Sequence, residues 1–418
     1  MDRFIIEGGT PLRGAVTISG AKNAVLPIFA ATLLAEGPCR VQNVPRLRDV
    51  VTMIKVLETF GLKASPIEGG EVVLDATGVN RFDAPYDLVK TMRASFVVLG
   101  PLLARFGRAH VSMPGGCAIG ARQIDLHLKG LAALGATIDN SAGYIDARAE
   151  KLVGTTIVLD FPSVGATENI MMAAVLAQGR TVLEHAAQEP EIVDLAVFLS
   201  SMGARIEGAG TGIMTIDGVE SLKGVTHRVI PDRIETGTFA IAAAITGGTL
   251  VLKKAAMGKI DAFRAKLIDS GVSWTTDGLD IIVCRGEHYS AVDITTQPHP
   301  GFPTDLQAPI TALLTLARGT STITEQIFEN RFLHIPELNR MGASARIQSS
   351  SGAVVKGVEA LSGAPVMASD LRAGAALVLA GLAASGQTEV SRVYHVDRGY
   401  EGMETKLEAV GARIKRVH

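Results

Sequence analysis

The chain has 418 residues, longer than one hydrophobic core usually supports, so more than one domain is expected. Forty basic side chains against 42 acidic ones leave a formal charge of −2, and no run of five basic residues occurs, which excludes a general nucleic-acid or membrane-surface role. Hydrophobic residues make up 47% and aromatics only 5%, so the core must be built from Ala, Val, Leu and Ile.

The N-terminal Met-Asp-Arg-Phe shows no apolar stretch behind a basic start, so no signal peptide is expected. No stretch reaches about 18 consecutive apolar residues, so no membrane span is expected. Cys39, Cys117 and Cys284 are odd in number and widely spaced, which argues against a disulfide framework and for a reducing, cytoplasmic setting.

Along the chain one pattern recurs six times. A helix end, a glycine and a short strand come together at Gly61, Gly135, Gly203, Gly271, Gly342 and Gly411, 68 to 74 residues apart. A second mark closes an Ala-rich apolar segment at Gly37, Gly107, Gly179, Gly248, Gly319 and Gly386, 67 to 72 residues apart. Two marks with one period predict six similar units. Each unit reads as a small-residue apolar helix ended by an αL glycine, a β-branched strand, an amphipathic helix and further strands. Residues 181–183 and 249–252 read as such strands, and residues 194–202 as such an amphipathic helix. Helices such as residues 238–245 and 373–384 are apolar nearly all round, so they should be buried with sheets outside them. The period alone allows one ring or two groups of three. A ring of this length would be large, so the expected fold is α/β with two domains of three units.

Chemistry should gather at the starts of the buried helices. They read Gly20 to Asn23, Lys90 to Arg93, Ser163 to Ala166, Asp232 to Glu235, Thr304 to Gln307 and Ser369 to Arg372. Asp232 with Glu235, and Thr304 with Gln307, fit capping boxes. Quasi-symmetric units point equivalent helix ends the same way, and helix N-termini with Lys and Arg beside them attract anions. An anion site between the two domains is one reading; simple capping at a solvated rim is the other.

Residues 113–122 (MPGGCAIGAR) read as a loop able to act as a lid, with one cysteine and an arginine five residues on. Arg122 could lower the thiol pKa of Cys117 and make it reactive, although a lone cysteine more often serves as a small buried hydrophobe. Cys39 and Cys284, in strand-like segments, fit that second role. No phosphate-loop, dinucleotide or zinc motif occurs, so neither a metal nor an organic cofactor is expected. His299 near Asp305 could line a site, though a structural or surface role suits it better.

Eight segments in order resemble the UDP-N-acetylglucosamine branch of the enolpyruvyl transferase family. They are residues 18–23 (ISGAKN), 84–95 (APYDLVKTMRAS), 114–127 (PGGCAIGARQIDLH), 189–194 (EPEIVD), 231–239 (PDRIETGTF), 302–307 (FPTDLQ), 328–332 (FENRF) and 394–401 (YHVDRGYE). The resemblance implies a two-domain inside-out α/β barrel of six folding units, residues 22–230 forming one domain and residues 1–21 with 231–418 the other. It implies transfer of the enolpyruvyl group of phosphoenolpyruvate to the 3′-hydroxyl of UDP-N-acetylglucosamine with release of phosphate, an early step in peptidoglycan synthesis. No cofactor is used.

On the same resemblance, Cys117 matches the proton donor, which can carry phosphoenolpyruvate as an adduct and is the target of fosfomycin. Lys22, Arg122 and Arg398 match residues around the phosphate, Arg331 and Arg372 those near the carboxylate, and Asn23 lies beside Lys22. Asp305 matches the base and also touches the sugar. Arg93, Arg122, Gln123, Ile124, Asp125, Leu126, Ser163, Val164, Gly165 and Ile327 match positions lining the nucleotide. One departure stands out: Phe161 and Pro162 precede Ser163 where some members carry a lysine two residues before the serine. A shikimate-phosphate enolpyruvyl transferase and a non-catalytic binding protein on the same fold are the rival readings. The cysteine loop argues against the first, and retention of Lys22, Cys117, Asp305 and Arg398 against the second.

Overall fold

The glycine that marks each repeat closes a helix in one geometry throughout. Gly61, Gly135, Gly203, Gly271, Gly342 and Gly411 all take left-handed backbone, with φ between 88° and 117°. In the first, Gly61 N–H donates to Glu58 O at 3.0 Å and Leu62 N–H to Leu57 O at 3.3 Å. The other five repeat both bonds; at the last, Gly411 reaches Glu408 O and Ala412 reaches Leu407 O, each at 3.0 Å. This is a Schellman turn, which satisfies the last carbonyls of the helix and needs φ > 0 at one residue. The leucine that accepts the longer bond (57, 131, 199, 267, 338 or 407) is fully buried each time, so one turn fixes both the helix end and an apolar anchor.

The computed structural model describes residues 2–90, 92–113, 124–255, 259–286 and 288–418, with the side chain of Arg93 also outside the description. The described residues form two compact units, residues 20–113 with 124–230, and residues 2–19 with 231–418. Each unit has its own hydrophobic core and three four-stranded sheets.

Every sheet follows one plan. Thr156–Val158 pairs in parallel with Arg180–Glu184, Ile213–Asp217 lies antiparallel to that strand, and Arg205–Glu207 forms the far edge. A buried helix follows the parallel edge strand of every sheet. These inner helices are Lys22–Ala31, Leu99–Phe106 and Val164–Ala174 in one unit, and Arg233–Ile245, Gln307–Leu314 and Leu371–Ala383 in the other. All thirteen residues of Arg233–Ile245 are buried, as an all-round apolar helix requires. Small residues allow close packing: a Cβ on Gly237 would stand 2.5 Å from Leu306 Cδ1. Each unit is therefore an inside-out α/β arrangement, helices within and sheets without.

Chain order alone would pair Arg13–Thr17 with Cys39–Gln42, the strand that follows it across the first inner helix. Instead Arg13–Thr17 runs parallel to Thr249–Lys253, and Thr226–Arg228 runs parallel to Cys39–Gln42. The chain passes from one unit to the other at residues 19–20 and again at 230–231, and each passage hands a strand to the unit it leaves. The last sheet is completed by the chain's own start, Arg3–Glu7 lying between Gln387–Ser391 and Arg413–Val417.

Two sequence expectations need correction. Of the second set of glycines, only Gly107 caps an inner helix directly, at φ 71°. Val164–Ala174, Gln307–Leu314 and Leu371–Ala383 end several residues before Gly179, Gly319 and Gly386. The intervening residues form isolated parallel bridges, such as Val153 with Gln178, that return the chain to its neighbour. Gly247 rather than Gly248 takes the left-handed turn after Arg233–Ile245. The capping boxes are also incomplete. Asp232 Oδ1 accepts from Ile234 N–H and Glu235 N–H, but the Glu235 carboxylate turns away to Ser19 N–H and Lys406. The Thr304 hydroxyl donates to Glu325 instead of capping, and the Gln307 amide is buried with no partner among the described residues.

Candidate active site

In the unit of residues 231–418, three predicted residues meet. Asp305 lies in a short 3-10 turn, Thr304–Leu306, that leads into Gln307–Leu314. Its Oδ1 accepts from Arg331 Nη2 at 2.6 Å and its Oδ2 from Arg372 Nη2 at 2.7 Å. Arg372 is the second residue of Leu371–Ala383, a helix capped by the Asp370 carboxylate. Both arginines are nearly inaccessible, at 5% and 4% exposure, while the Asp305 side chain keeps 24%. Burial alone pushes the Asp305 carboxyl up; Arg372 and Arg331 outweigh it and hold the group well below the usual carboxylate range.

A second layer fixes this cluster. Arg331 Nη1 donates to the Thr304 hydroxyl at 2.6 Å, which donates in turn to Glu325 Oε2 at 2.8 Å. Glu325 also accepts from the Thr296 hydroxyl and from the N–H groups of Ile327 and Phe328. The predicted nucleotide residue Ile327 is thereby tied to the arginine cluster through one buried carboxylate. The Arg372 guanidinium stacks over the Tyr400 ring at 5.4 Å, two residues beyond Arg398, which ends a 3-10 segment and is half-buried. Arg372 Nη1 is buried with no hydrogen-bond acceptor among the described residues. A buried charged donor left over in this way is suited to an anionic ligand. His334 stands near Arg331 and Asp370; burial first, then Arg331, lowers its pKa to about 4, so it is neutral at pH 7.

In the unit of residues 20–230, Lys22 opens the first inner helix and pairs with Asp49 at 2.5 Å. Asn23 follows it, half-buried. Ser163 caps the third inner helix through Ala166 N–H, which places Val164 and Gly165 in its first turn. Space beside Gly165 is tight: a Cβ would meet His127 Cε1 at 3.0 Å and Nε2 at 3.2 Å. His127 belongs to Asp125–Ala133, whose start carries Ile124 (buried), Asp125 (exposed) and Leu126 (half-buried). Asn169 holds the His127 ring at 2.8 Å while its Oδ1 accepts from Gly100 N–H. The two predicted nucleotide-lining stretches, 124–126 and 163–165, are thus joined by a part-buried amide–imidazole pair. Phe161 is 41% exposed, and its carbonyl accepts from Ser163 N–H.

Cys117, Arg122 and Gln123 lie outside the described residues, as does the side chain of Arg93. Cys39 is buried, and burial raises its thiol pKa, in keeping with a core role; Cys284 is half-buried in Asp280–Cys284. His299 is half-buried, with its pKa lowered to about 4 by burial and then by Arg233 and Lys259. Sequence reading missed Asp49, His127, Asn169 and Glu325. None of them carries a periodic mark, and each acts through a partner far away in the chain.

Two buried arginines closing on one carboxylate make a cluster suited to anionic substrates. Residues 6–407 match the family described as EPSP synthase (3-phosphoshikimate 1-carboxyvinyltransferase). The crystal structure of the enolpyruvyl transferase NikO from Streptomyces tendae superposes with TM-score 0.90 at 27% identity, covering 100% of this chain and 99% of that one. EPSP synthase from Acinetobacter baumannii, at TM-score 0.77 and 17% identity over both full chains, shares the fold. The UDP-N-acetylglucosamine 1-carboxyvinyltransferases of Myxococcus xanthus and Geotalea uraniireducens are each 57% identical, over 100% of this chain and 99% and 100% of theirs. The chain belongs to the EPSP synthase family of enolpyruvyl transferases and, within it, to the UDP-N-acetylglucosamine 1-carboxyvinyltransferases. No helix of the described residues is long and apolar enough to cross a membrane.

Proposed function

We propose that the protein transfers the enolpyruvyl group of phosphoenolpyruvate to the 3′-hydroxyl of UDP-N-acetylglucosamine and releases phosphate. In the addition step the hydroxyl oxygen bonds to C2 of phosphoenolpyruvate, its proton passes to a base, and C3 gains a proton from an acid. A tetrahedral intermediate forms. In the elimination step C3 gives a proton back, the double bond re-forms and the C2–O bond to phosphate breaks. The product enters peptidoglycan synthesis. Three scattered cysteines suit a reducing compartment, and we place the reaction in the cytoplasm.

The observation that carries the reading is Asp305 clamped between two buried arginines, one of which keeps an unused donor. A carboxylate held so far down is a poor base. An anionic substrate arriving at Arg331 and Arg372 would draw their charge away from Asp305 and raise its proton affinity, so that base strength appears only with substrate present. Arg331 and Arg372 take the carboxylate of phosphoenolpyruvate, where a planar fork suits two oxygens. Lys22, Asn23, Arg122 and Arg398 take the phosphate. Cys117 supplies the proton to C3 and can be captured there as an adduct or by fosfomycin. Residues 124–126 and 163–165, with Arg93, Arg122, Gln123 and Ile327, line the nucleotide. The three-unit domain of residues 22–230 carries the cysteine lid and the nucleotide contacts. Residues 1–21 with 231–418 carry Asp305 and the arginines for the carboxylate.

The test is phosphate release from phosphoenolpyruvate with and without UDP-N-acetylglucosamine, with fosfomycin in a parallel sample. Release that needs the sugar nucleotide and stops with the drug is the expected result. Release driven by shikimate 3-phosphate instead would overturn the acceptor assignment.

A further inference from the structure

The first inner helix starts without a side-chain cap, because Ala21 stands at the cap position. Ser163, Asp232 and Asp370 cap three other inner helices with side-chain oxygens. Yet this uncapped start carries Lys22. What holds it comes from the far end of the same unit. Ala21 N–H donates to Ile230 O at 2.8 Å, and Ala21 O accepts from Ala24 and Val25 N–H as the first turn of the helix. The start of the helix that carries Lys22 is therefore tied to Ile230, the last residue before the chain leaves the unit.

Ile230 is itself held by a buried acid. Its N–H donates to Asp194 Oδ2 at 3.2 Å, and Asp194 Oδ1 accepts from His227 Nε2 at 3.0 Å. A carboxylate can only accept, so the imidazole Nε2 carries the hydrogen. Asp194 and His227 are both nearly inaccessible, and the Phe198 ring packs edge-on against His227 at 5.5 Å. The neighbouring Val229 is fixed from the other side, its N–H to Gln42 O at 3.0 Å and its carbonyl to Asn43 Nδ2 at 2.9 Å. The hydrogen bonds of Ile230, to Asp194 on one side and to Ala21 on the other, thus join the Asp194–His227 pair to the helix start.

We infer that Asp194, paired with His227, is a positioning residue for Lys22, acting through Ile230 and Ala21 to set where the lysine meets phosphoenolpyruvate. The inference rests on the proposed role of Lys22 at that substrate. It separates Asp194 from an ordinary buried acid: its loss should move the phosphoenolpyruvate side of the reaction and leave the nucleotide side alone. The nucleotide stretches at 124–126 and 163–165 are joined by the His127–Asn169 hydrogen bond, separate from the bonds just traced.

The experiment compares steady-state constants of the full-length enzyme with those of Asp194→Ala, Asp194→Asn, Lys22→Ala and Leu183→Ala. Leu183 is fully buried in Arg180–Glu184 of the same unit and controls for a general loss of stability. Asp194→Ala is expected to raise KM for phosphoenolpyruvate roughly tenfold, since small misplacements of a positioning group cost one to two orders of magnitude. KM for UDP-N-acetylglucosamine should stay within about twofold on the same argument. Asp194→Asn should recover most of the loss, because its amide oxygen still accepts from Ile230 N–H. Leu183→Ala should lower the melting temperature without changing either KM. If Asp194→Ala shifts both KM values equally, or behaves as Leu183→Ala does, the inference is overturned. If Lys22→Ala leaves phosphoenolpyruvate binding intact, the role of Lys22 fails instead, and the two failures are told apart.

Discussion

The two units share backbone geometry and differ in what they place at their helix starts. Both use the same six-fold glycine turn and the same sheet plan. In residues 231–418 the starts carry a carboxylate between two buried guanidinium groups. In residues 20–230 they carry lysine–aspartate pairs at Lys22 and Lys90 and an uncharged network of Asn169, His127 and Gly165. A repeated fold therefore leaves the chemistry to a few side chains at equivalent backbone positions, where exchange costs little in packing and much in charge.

Removing charge from the first cluster should have the largest effect. Asp305→Ala leaves two buried arginines facing each other. It is expected to lower kcat about 1,000-fold, as loss of a general base does, and to cost about 3 kcal/mol of stability. Phosphate-release rates and urea unfolding check the two numbers. The uncharged network should respond more mildly and on the other substrate. Asn169→Ala strands Gly100 N–H and the His127 ring, and should cost about 2 kcal/mol while raising KM for UDP-N-acetylglucosamine and sparing phosphoenolpyruvate. Gly165→Ala forces the His127 ring aside, at about 1 kcal/mol, with the same selective rise in KM.

Asp305 and Glu168 should also differ in the sign of a pH effect. Asp305 has a depressed pKa in the folded state, so its stabilisation is present above the unfolded value of about 3.9 and is lost as pH falls through the folded value. Glu168, buried in Val164–Ala174, is pushed well up by burial and then by Glu191 and Glu189. Its contribution is full below the unfolded value of about 4.3 and is lost as pH rises through the folded value. In urea titrations, Asp305→Asn should therefore trail the wild type by a constant amount above about pH 5 and close the gap only in acid. Glu168→Gln should gain on the wild type as pH rises from about 4 to 8. Parallel pH curves for both variants would remove the electrostatic contrast between the units.

The smallest effect should be the same in both. At Gly203 and Gly411 nothing stands within 4 Å of an added Cβ, so alanine meets only the strain of positive φ. Each substitution should cost about 1 kcal/mol and leave both KM values unchanged. Unequal costs measured by thermal unfolding would mean the shared turn is not equivalent in the two units.

The helix starts themselves were legible in the chain, because a helix start is a local event. The helix starts at residues 304–307 and 369–372 contain Asp305 and Arg372, whose roles the family resemblance implies, and the two side chains meet. The partners were not legible: Asp49 for Lys22, Glu325 for Thr304, Asn169 for His127. Each pairing spans 21 residues or more and depends on which elements the sheets bring side by side.

The period, the six left-handed glycines and the buried Ala-rich helices follow from the sequence by itself, because backbone sterics and apolar periodicity act over a few residues. The exchange of Arg13–Thr17 and Thr226–Arg228 between neighbouring helices was decided only by tertiary structure. So was the hold of Asp194 on Ile230. Either strand suits either sheet by pattern, and only the two passages of the chain between units determine which backbone groups are left to pair.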